Sequence, residues 1–436
     1  MPTEPEPTMQ DPTMRVSGWR CMVCDATVDI ATPFPWRCPN STASDRHHVL
    51  AIVNSHDVPA AVGHDPHENP YLSHDPDLAW AAYAHANGID ARARRRIVSE
   101  LDAAVRDVAG VGFVPTPFDR SDPLSDALGF SDGGGVWVKD ETGAVAGSQK
   151  ARHLFSILLH LVAAERVGHL TQRAPLAIAS CGNAALAAAT LAAAANWPID
   201  VYVPTWMGDG FGDELDRLGA RIHRCERRAD DPSGDPAMLR FREAVAAGSI
   251  PFTVQGPENA LALDGGRTLG WEIDAQCHAQ SVGLDRIFVQ VGGGAFAACL
   301  GAALPEVRMS AVQVEGCAPL RRAWDRAGGD IGNGLQSVGA RWEQLMTPWN
   351  DPHSLADGIL DDETYDWLGV FERIGARGDP PIVAAEADIV DAHLLARSAG
   401  FDVSPTGSAG LAGLLAGIAS VQSTERVAVV MSGVAR

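Results

Sequence analysis

Residues 287–295 read Ile-Phe-Val-Gln-Val-Gly-Gly-Gly-Ala, a short and mostly apolar run that leads into three glycines and an alanine-rich segment. Such a run is typical of a strand that is buried on both faces of a parallel sheet. Residues without side chains between a strand and a helix let main-chain N–H groups close around a phosphate. The stretch therefore predicts a doubly wound α/β protein with an anion site at this strand end.

Similar short apolar runs recur along the chain and alternate with Ala/Leu-rich segments. This alternation predicts βαβ units and a mainly parallel sheet. We predict a helix over residues 91–108 and strands at residues 136–139, 176–179, 200–203, 221–223, 252–254, 286–291, 310–314 and 427–431.

Composition limits the class of protein. The chain has 436 residues, of which 46% are hydrophobic, and its net charge of −21 disfavours binding to nucleic acid or to an anionic membrane surface. The longest Ala/Leu run, residues 184–195, is too short to span a bilayer. The first residues are acidic and Pro-rich, unlike a secretion signal. Eight scattered cysteines do not form a disulfide pattern, so we expect a cytoplasmic protein. From the negative charge and the short apolar runs, we expect neither a nucleic-acid nor a membrane partner.

Lysine occurs only as Lys139 and Lys150, whereas the remaining 32 of the 34 basic residues are arginine. Arginine stays protonated, but a buried lysine can lose its proton and bond to a carbonyl carbon. Ser148 is a plausible N-cap, which would place Lys150 in the first turn of a helix, where the helix dipole disfavours a charged ammonium. Lys150 is therefore the candidate catalytic residue, and a solvated surface lysine is the alternative.

Three further motifs combine turns with polar groups. Ser180-Cys181-Gly182-Asn183 follows a predicted strand and could bind a carboxylate, although ordinary helix capping would use the same residues. Thr406 and Ser432 offer hydroxyl groups near the C-terminus, and either could be only a cap or a turn residue. Residues 292–297 also match G-x-G-x-x-A with Glu315 on the next strand, so a dinucleotide-binding unit is an open alternative.

The order and spacing of four motifs resemble those of the fold-type II pyridoxal-phosphate enzymes. The motifs are GSQK at Lys150, the SCGN turn, the GGGA loop and the terminal strand followed by Ser-Gly. This tryptophan synthase β-like superfamily includes threonine synthases, threonine and serine dehydratases and cysteine synthases. The resemblance covers roughly residues 112–433. It implies α/β architecture with two doubly wound open-sheet domains of the tryptophan synthase β type. We also predict a homodimer.

The predicted domain organisation has four parts: a disordered tail at residues 1–14, a Cys/His-rich module at 15–50, a large cofactor domain at 51–150 and 262–436, and a small substrate domain at 151–261. The active site would lie in the cleft between the large and the small domain.

The resemblance also implies roles for individual residues. Lys150 would hold pyridoxal phosphate covalently and then move the proton on Cα of the substrate. The cofactor phosphate would be bound by Gly292, Gly293, Gly294 and Ala295. Asn183 would hydrogen-bond the 3′-oxygen of the pyridine, and the substrate carboxylate would be received by Ser180, Cys181 and Gly182. Ser432, and in second place Thr406, would face the pyridine nitrogen.

The activity we predict is β-elimination, of the dehydratase or ammonia-lyase type, on a small hydrophilic L-amino acid. A threonine synthase-like replacement reaction is the alternative, and a phosphorylated substrate would then need cations such as Arg152 and Arg267. Two alternatives from other classes are an NAD-binding oxidoreductase and a catalytically inactive pyridoxal-phosphate-binding protein.

The N-terminal module contains Cys21-x2-Cys24-x13-Cys38, with Ser41 where a second CxxC would end. A structural zinc ion takes four nitrogen or sulfur ligands, so His47 or His48 would have to complete the set. Some threonine synthases have a similar Cys-rich N-terminal ribbon. The module therefore predicts a zinc site, and three free thiols are the alternative.

Overall fold

The computed structural model describes residues 12–55, 68–328, 334–375 and 379–436. Most of the tail predicted at residues 1–14 lies outside them. The strands are β1 (Val16–Cys21), β2 (Thr27–Asp29), β3 (Leu50–Asn54), β4 (Phe118–Ser121), β5 (Gly135–Asp140), β6 (Leu176–Ala179), β7 (Ile199–Pro204), β8 (Arg221–Cys225), β9 (Ile250–Pro251), β10 (Arg286–Gln290), β11 (Arg308–Val314), β12 (Ile382–Ala384) and β13 (Arg426–Met431).

The α-helices in the same residues are α1 (Pro70–Ser73), α2 (Ala79–Ala86), α3 (Ala91–Ala109), α4 (Asp122–Ala127), α5 (Lys150–Arg166), α6 (Asn183–Ala194), α7 (Asp209–Arg217), α8 (Pro236–Ala246), α9 (Ala262–Gly265), α10 (Arg267–Gln280), α11 (Ala295–Ala303), α12 (Pro319–Arg326), α13 (Leu335–Gly339), α14 (Trp342–Leu345), α15 (Trp367–Gly375), α16 (Glu386–Ser398) and α17 (Ala409–Gly417). Short 3₁₀ turns occur at Asp75–Asp77, Val145–Gly147, Asp357–Ile359 and Ile418–Ser420.

The largest sheet has the strand order β12-β11-β10-β13-β5-β4. Its neighbouring strands run parallel, except that the edge strand β4 is antiparallel to β5. The central strand β10 is buried at every position, as expected when helices cover both faces of a parallel sheet. The glycine loop after β10 therefore opens at the carboxyl edge of this sheet, where ligands bind in open α/β folds.

A second parallel sheet has the order β8-β7-β6-β9, and a small antiparallel sheet, β2-β1-β3, forms the N-terminal module. The predicted α/β class is confirmed by these sheets. No helix within the described ranges combines the length and the apolar composition that crossing a bilayer requires.

Helices α2 and α3 pack on α5 and α6, beside the four-stranded sheet. Tyr71, Trp80 and Ile97 accordingly share a hydrophobic core with Leu158 and Leu186. The division into residues 51–150 with 262–436 and residues 151–261 stays a prediction, and this packing links the N-terminal part of the first group to the second.

Seven of the eight predicted strands are present, and the helix predicted at 91–108 is α3. The strand predicted at 252–254 is wrong, because the ladder ends at Pro251 in β9. Phe252 and Val254 are buried as a loop instead, and the Thr253 hydroxyl bonds the Gln255 side chain. Strands β1–β3, β4 and β12 were not predicted, because they are short and several of their residues are exposed or half-buried.

Candidate active site

Lys150 is the first residue of α5, after the 3₁₀ turn Val145–Gly147 that follows β5. The predicted first-turn position is confirmed, but Gln149 and not Ser148 is the N-cap. Ser148 is still in extended conformation, with φ −163° and ψ 163°, and its hydroxyl accepts a 3.4 Å hydrogen bond from the Lys150 amide. The helix start thus holds the lysine stem at a fixed point.

The amine of Lys150 is surrounded by protein on most sides, although the residue keeps some exposed surface. Burial lowers the pKa of the ammonium, while the nearby carboxylates of Asp361 and Asp366 act in the opposite direction. The net shift is downward, so a larger fraction of Lys150 is a neutral amine than for a lysine in water.

The predicted phosphate loop, Gly292–Ala295, joins β10 to α11. Gly294 has φ +93°, and a Cβ there would lie 2.8 Å from Cγ2 of Thr364, so both conformation and space require glycine. The carboxylate of Asp361 lies beside the main chain of Gly292 and Gly293, and the Gly293 amide acts to lower the pKa of that carboxyl against the effect of burial. A chain carboxylate therefore lies where the main-chain N–H groups and the start of α11 favour an anion, which fits the binding of a phosphate group at this loop.

Residues 361–366 lie across this glycine loop. The Asp366 amide donates to Gly293 O at 2.8 Å, and Oδ2 of Asp366 accepts from the Gly256 amide at 3.0 Å. Its Oδ1 atom is buried without a hydrogen-bond partner among the described residues. Burial raises the pKa of Asp361 to about 6 and that of Asp366 to about 7.

Sequence reasoning missed Asp361 and Asp366. The available signal was the acidic run at 361–363, which begins two residues after the end of the motif Ser-Leu-Ala-Asp-Gly-Ile at 354–359.

The two hydroxyl candidates have different surroundings. The buried Ser432 Oγ accepts a 3.1 Å hydrogen bond from the Gln149 amide, so it lies beside the start of the lysine helix. Thr406 Oγ1 accepts from the Gly358 amide at 2.9 Å and donates to Asp357 at 3.1 Å. The tertiary structure therefore brings Ser432, rather than the Thr406 hydroxyl, next to Lys150.

The SCGN turn links β6 to α6. The Gly182 amide donates to Ser180 Oγ at 3.4 Å. Asn183 Oδ1 accepts a 2.6 Å hydrogen bond from Arg436, and Asn183 Nδ2 lies against Gly433, one residue after Ser432. Asn183 is thus brought beside the segment that carries Ser432. Arg436 is a nearby cation that sequence reasoning missed.

The pKa of the Cys181 thiol is affected by the charged groups around this turn. Burial, followed by the carboxylates of Asp357, Asp235 and Asp361, raises its pKa to about 12. The turn predicted to receive the substrate carboxylate therefore lies in a negative field that comes from three acidic side chains.

The arginines predicted as phosphate ligands are already paired. Arg152 contacts Glu141 and Glu272, each at 2.9 Å, and is nearly fully buried. Arg267 contacts Asp264 at 2.8 Å. Lys139 donates to Glu272 at 2.5 Å and to the Thr116 carbonyl at 2.8 Å. These cations form buried ion pairs within the protein, so the expectation that Arg152 or Arg267 serves as a free cation in the cleft is not met.

Glu315, the acidic residue of the dinucleotide alternative, follows β11. Its Oε1 accepts from the Glu386 amide at 2.8 Å, at the first residue of α16. A carboxylate in this position stabilises the positive end of the helix dipole, and this accounts for Glu315 without a ribose.

Comparison with known proteins gives a family and a set of similar folds. The family model described as "Pyridoxal-phosphate dependent enzyme" matches residues 111–433. The biosynthetic L-threonine dehydratase IlvA of Haemophilus influenzae is 27% identical over 240 residues, which are 52% of this chain and 41% of that protein. The match thus spans less than half of this relative.

Solved structures with a similar fold include the processed form of threonine deaminase isoform 2 from Solanum lycopersicum, with a TM-score of 0.58, 19% identity and coverage of 80% of this chain and 92% of that one. Diaminopropionate ammonia lyase from Escherichia coli has a TM-score of 0.59, 16% identity and coverage of 79% and 89%. Maize serine racemase has a TM-score of 0.58, 19% identity and coverage of 77% and 92%. At these identities the likeness concerns the fold.

Proposed function

The chain belongs to the family of pyridoxal-phosphate dependent enzymes, and on this premise we propose that it is a lyase that removes the β-substituent of a small hydrophilic L-amino acid with release of ammonia. Its cofactor is pyridoxal phosphate. The NAD-binding oxidoreductase does not agree with this family. A catalytically inactive pyridoxal-phosphate-binding protein would share the family's fold, and the turnover assay below distinguishes it from the lyase.

Four groups would hold the cofactor. Lys150 would bind its aldehyde carbon, the Gly292–Ala295 loop its phosphate, Asn183 its 3′-oxygen and Ser432 its pyridine nitrogen. When bound, pyridoxal phosphate supplies an electron sink for the electron pair of a broken Cα–H bond. The neutral hydroxyl of Ser432 at the pyridine nitrogen would weaken this electron sink, which would suit elimination at Cβ.

The Lys150 side chain suits one proton transfer: its neutral amine would accept the proton from Cα of the substrate. Asp366 is fully buried, and its pKa is raised to about 7. It would therefore act on the Lys150 amine through its charge rather than touch the substrate. The amide groups of Ser180–Gly182 would bind the substrate carboxylate.

The observation that carries the choice of lyase is the charge of the cleft. Carboxylates of Asp357, Asp235 and Asp361 act on the Cys181 turn, while Arg152 and Arg267 are paired within the protein. Arg436 is the one cation described at this turn, and it donates to Asn183 and to the Ala146 carbonyl, so the three acids outnumber it. This arrangement disfavours a phosphorylated substrate and favours a neutral or cationic side chain, such as a hydroxyl or an amine. The threonine synthase-like alternative is therefore the weaker proposal.

The test is an assay of the holoenzyme with L-serine, L-threonine, 2,3-diaminopropionate and O-phosphohomoserine, in which 2-oxo acid, ammonia and inorganic phosphate are measured. Elimination from serine yields one ammonia per 2-oxo acid, and elimination from diaminopropionate yields two. We expect turnover of serine, threonine or the diamino acid, and none with the Lys150→Ala variant. Phosphate release from O-phosphohomoserine, without 2-oxo acid from the other three, would establish the synthase instead.

A homodimer and a cytoplasmic location are also part of the proposal. Sedimentation velocity of the holoenzyme tests the first, because a species with the mass of a single 46.0 kDa chain would contradict it.

A further inference from the structure

Four side chains of the N-terminal module bring potential metal-ligand atoms close together. The sulfur atoms of Cys21, Cys24 and Cys38 and a ring nitrogen of His48 all lie within 4.8 Å of one another. The Cys24 and Cys38 sulfurs are 3.5 Å apart, and Cys21 Sγ is 3.4 Å from His48 Nδ1. Tetrahedral zinc with Zn–S of about 2.3 Å and Zn–N of about 2.0 Å gives separations of roughly 3.8 Å and 3.5 Å, so the cluster needs little adjustment.

Main-chain and side-chain N–H groups surround the sulfurs. The Val23 amide donates to Cys21 Sγ and the Asn40 amide to Cys38 Sγ, each at 3.4 Å, so each of these cysteines is bonded by the amide two residues later. The Asn40 side chain donates to Cys24 Sγ at 3.3 Å. Such donors stabilise thiolates, the form of cysteine that binds a metal.

The ring of His48 is oriented as a metal ligand. Its Nδ1 faces Cys21, while Nε2 lies 3.3 Å from Oδ2 of Asp45. A carboxylate on the far nitrogen fixes the tautomer and increases the basicity of the ligating nitrogen. His47 stacks on Trp342 at a centroid distance of 4.3 Å instead, and the Ser41 hydroxyl donates to the Cys38 carbonyl.

We propose that Cys21, Cys24, Cys38 and His48 bind one structural Zn²⁺ ion and that Asp45 orients His48. Four protein ligands fill the tetrahedron, so no position is left for a substrate or water, as in structural zinc sites. The ion joins the end of β1 to the loop before β3, and it supplies a cross-link that a sheet of three short strands lacks.

The loop fixed by the ion reaches the segments around the glycine loop. Arg37 and Arg46 pair with the buried Glu258, two residues after the Gly256 amide that bonds Asp366. His47 lies 3.9 Å from Glu363, next to Thr364. The zinc module therefore contacts Glu258 and Glu363, which adjoin the segments beside the glycine loop.

The test is metal analysis of the full-length protein purified without chelators. We expect about one zinc per chain, and after exchange with Co²⁺ the intense visible absorption of tetrahedral cobalt with thiolate ligands. Cys24→Ser and His48→Ala should lose the metal, whereas Cys277→Ser, a buried cysteine outside the module, should keep it. Asp45→Asn should fold, retain the ligands and bind zinc about 10–100-fold more weakly in a chelator competition.

The proposal is overturned if the folded wild-type protein takes up neither Zn²⁺ nor Co²⁺, or if Cys277→Ser and Cys24→Ser lose zinc equally. Equal zinc affinity of Asp45→Asn and the wild type would remove the assigned role of Asp45. These measurements do not depend on substrate turnover, so they test the zinc site independently of the proposed reaction.

Discussion

The main-chain N–H of Gln149 donates a hydrogen bond of 3.1 Å to the hydroxyl of Ser432, which lies 283 residues further along the chain. The bond joins the start of α5 to the end of β13, so the amine-bearing helix and the last strand of the large sheet have a fixed relative position. Because the hydroxyl accepts this bond, its own hydrogen can still be donated to a ligand in the cleft.

Removal of the Ser432 hydroxyl tests this relationship. Ser432→Ala leaves the buried Gln149 amide without its acceptor and removes the group assigned to the pyridine nitrogen, so we expect kcat to fall on the order of tenfold or more and the absorption maximum of the bound cofactor to shift. Thr406→Ala should change neither quantity by more than about twofold. The reverse ranking of the two variants would move the assignment to Thr406.

The covalent attachment site is tested by reduction of the holoenzyme with borohydride and mass analysis of the peptides. Lys150→Ala should carry no trapped cofactor, because position 139 holds the only other lysine and that side chain is buried between Glu272 and Gln276. Lys139→Arg should retain trapping, although the larger guanidinium costs about 1–3 kcal/mol in a fully packed site. Trapping that persists in Lys150→Ala would show that another amine reacts.

The carboxylate of Asp361 lies beside the glycines proposed to hold the cofactor phosphate, and its negative charge would oppose phosphate binding there. Asp361→Asn removes the negative charge, so at pH 8 the cofactor-free variant should bind pyridoxal phosphate about tenfold more tightly than the wild type, as measured by absorbance titration. Asp362→Asn changes the same charge one residue away and serves as the matched control. An equal gain in both variants would mean that only the general charge of the segment matters.

Burial of Asp366 makes stability depend on pH. Its pKa is raised from about 4 in the unfolded chain to about 7 in the fold, so its protonated form stabilises the protein fully below pH 4, and this contribution is lost as the pH rises through 7. Asp366→Asn should therefore raise Tm of the cofactor-free protein at pH 8 by a few degrees, and it should raise Tm clearly less at pH 5, where most of the loss has not yet occurred. The exposed Asp325→Asn should show no such difference between the two pH values.

Glu272 lies between two buried cations, Lys139 and Arg152. Burial alone would raise its pKa, but these two cations lower it to about 2. Glu272→Gln leaves both cations with less compensation, so we expect a loss of about 3–5 kcal/mol in the free energy of unfolding, measured with urea. Gln276→Ala removes a neutral acceptor of Lys139 and should cost clearly less.

Local patterns in the sequence predicted most of the fold and the motifs of the site. Short apolar runs indicated the buried strands of both parallel sheets, because burial on both faces allows no polar alternation. The rarity of lysine and the glycines after β10 pointed to Lys150 and to the anion site. Edge strands such as β4 and β12 carried no such signal, since part of each faces solvent.

The sequence by itself determined the residue types that the chemistry needs: one amine at a helix start, a strand followed by three glycines, and thiols at zinc spacing. Only the tertiary structure decided which residues from distant parts of the chain contact the amine, the glycines and the thiols. It placed Ser432 beside the lysine helix, His48 with the three cysteines, and Asp361 against Gly293, and it paired Arg152 with buried glutamates. The physical reason is that hydrogen bonds and ion pairs between residues tens to hundreds of positions apart depend on how sheets and helices pack, and local periodicity does not encode that packing.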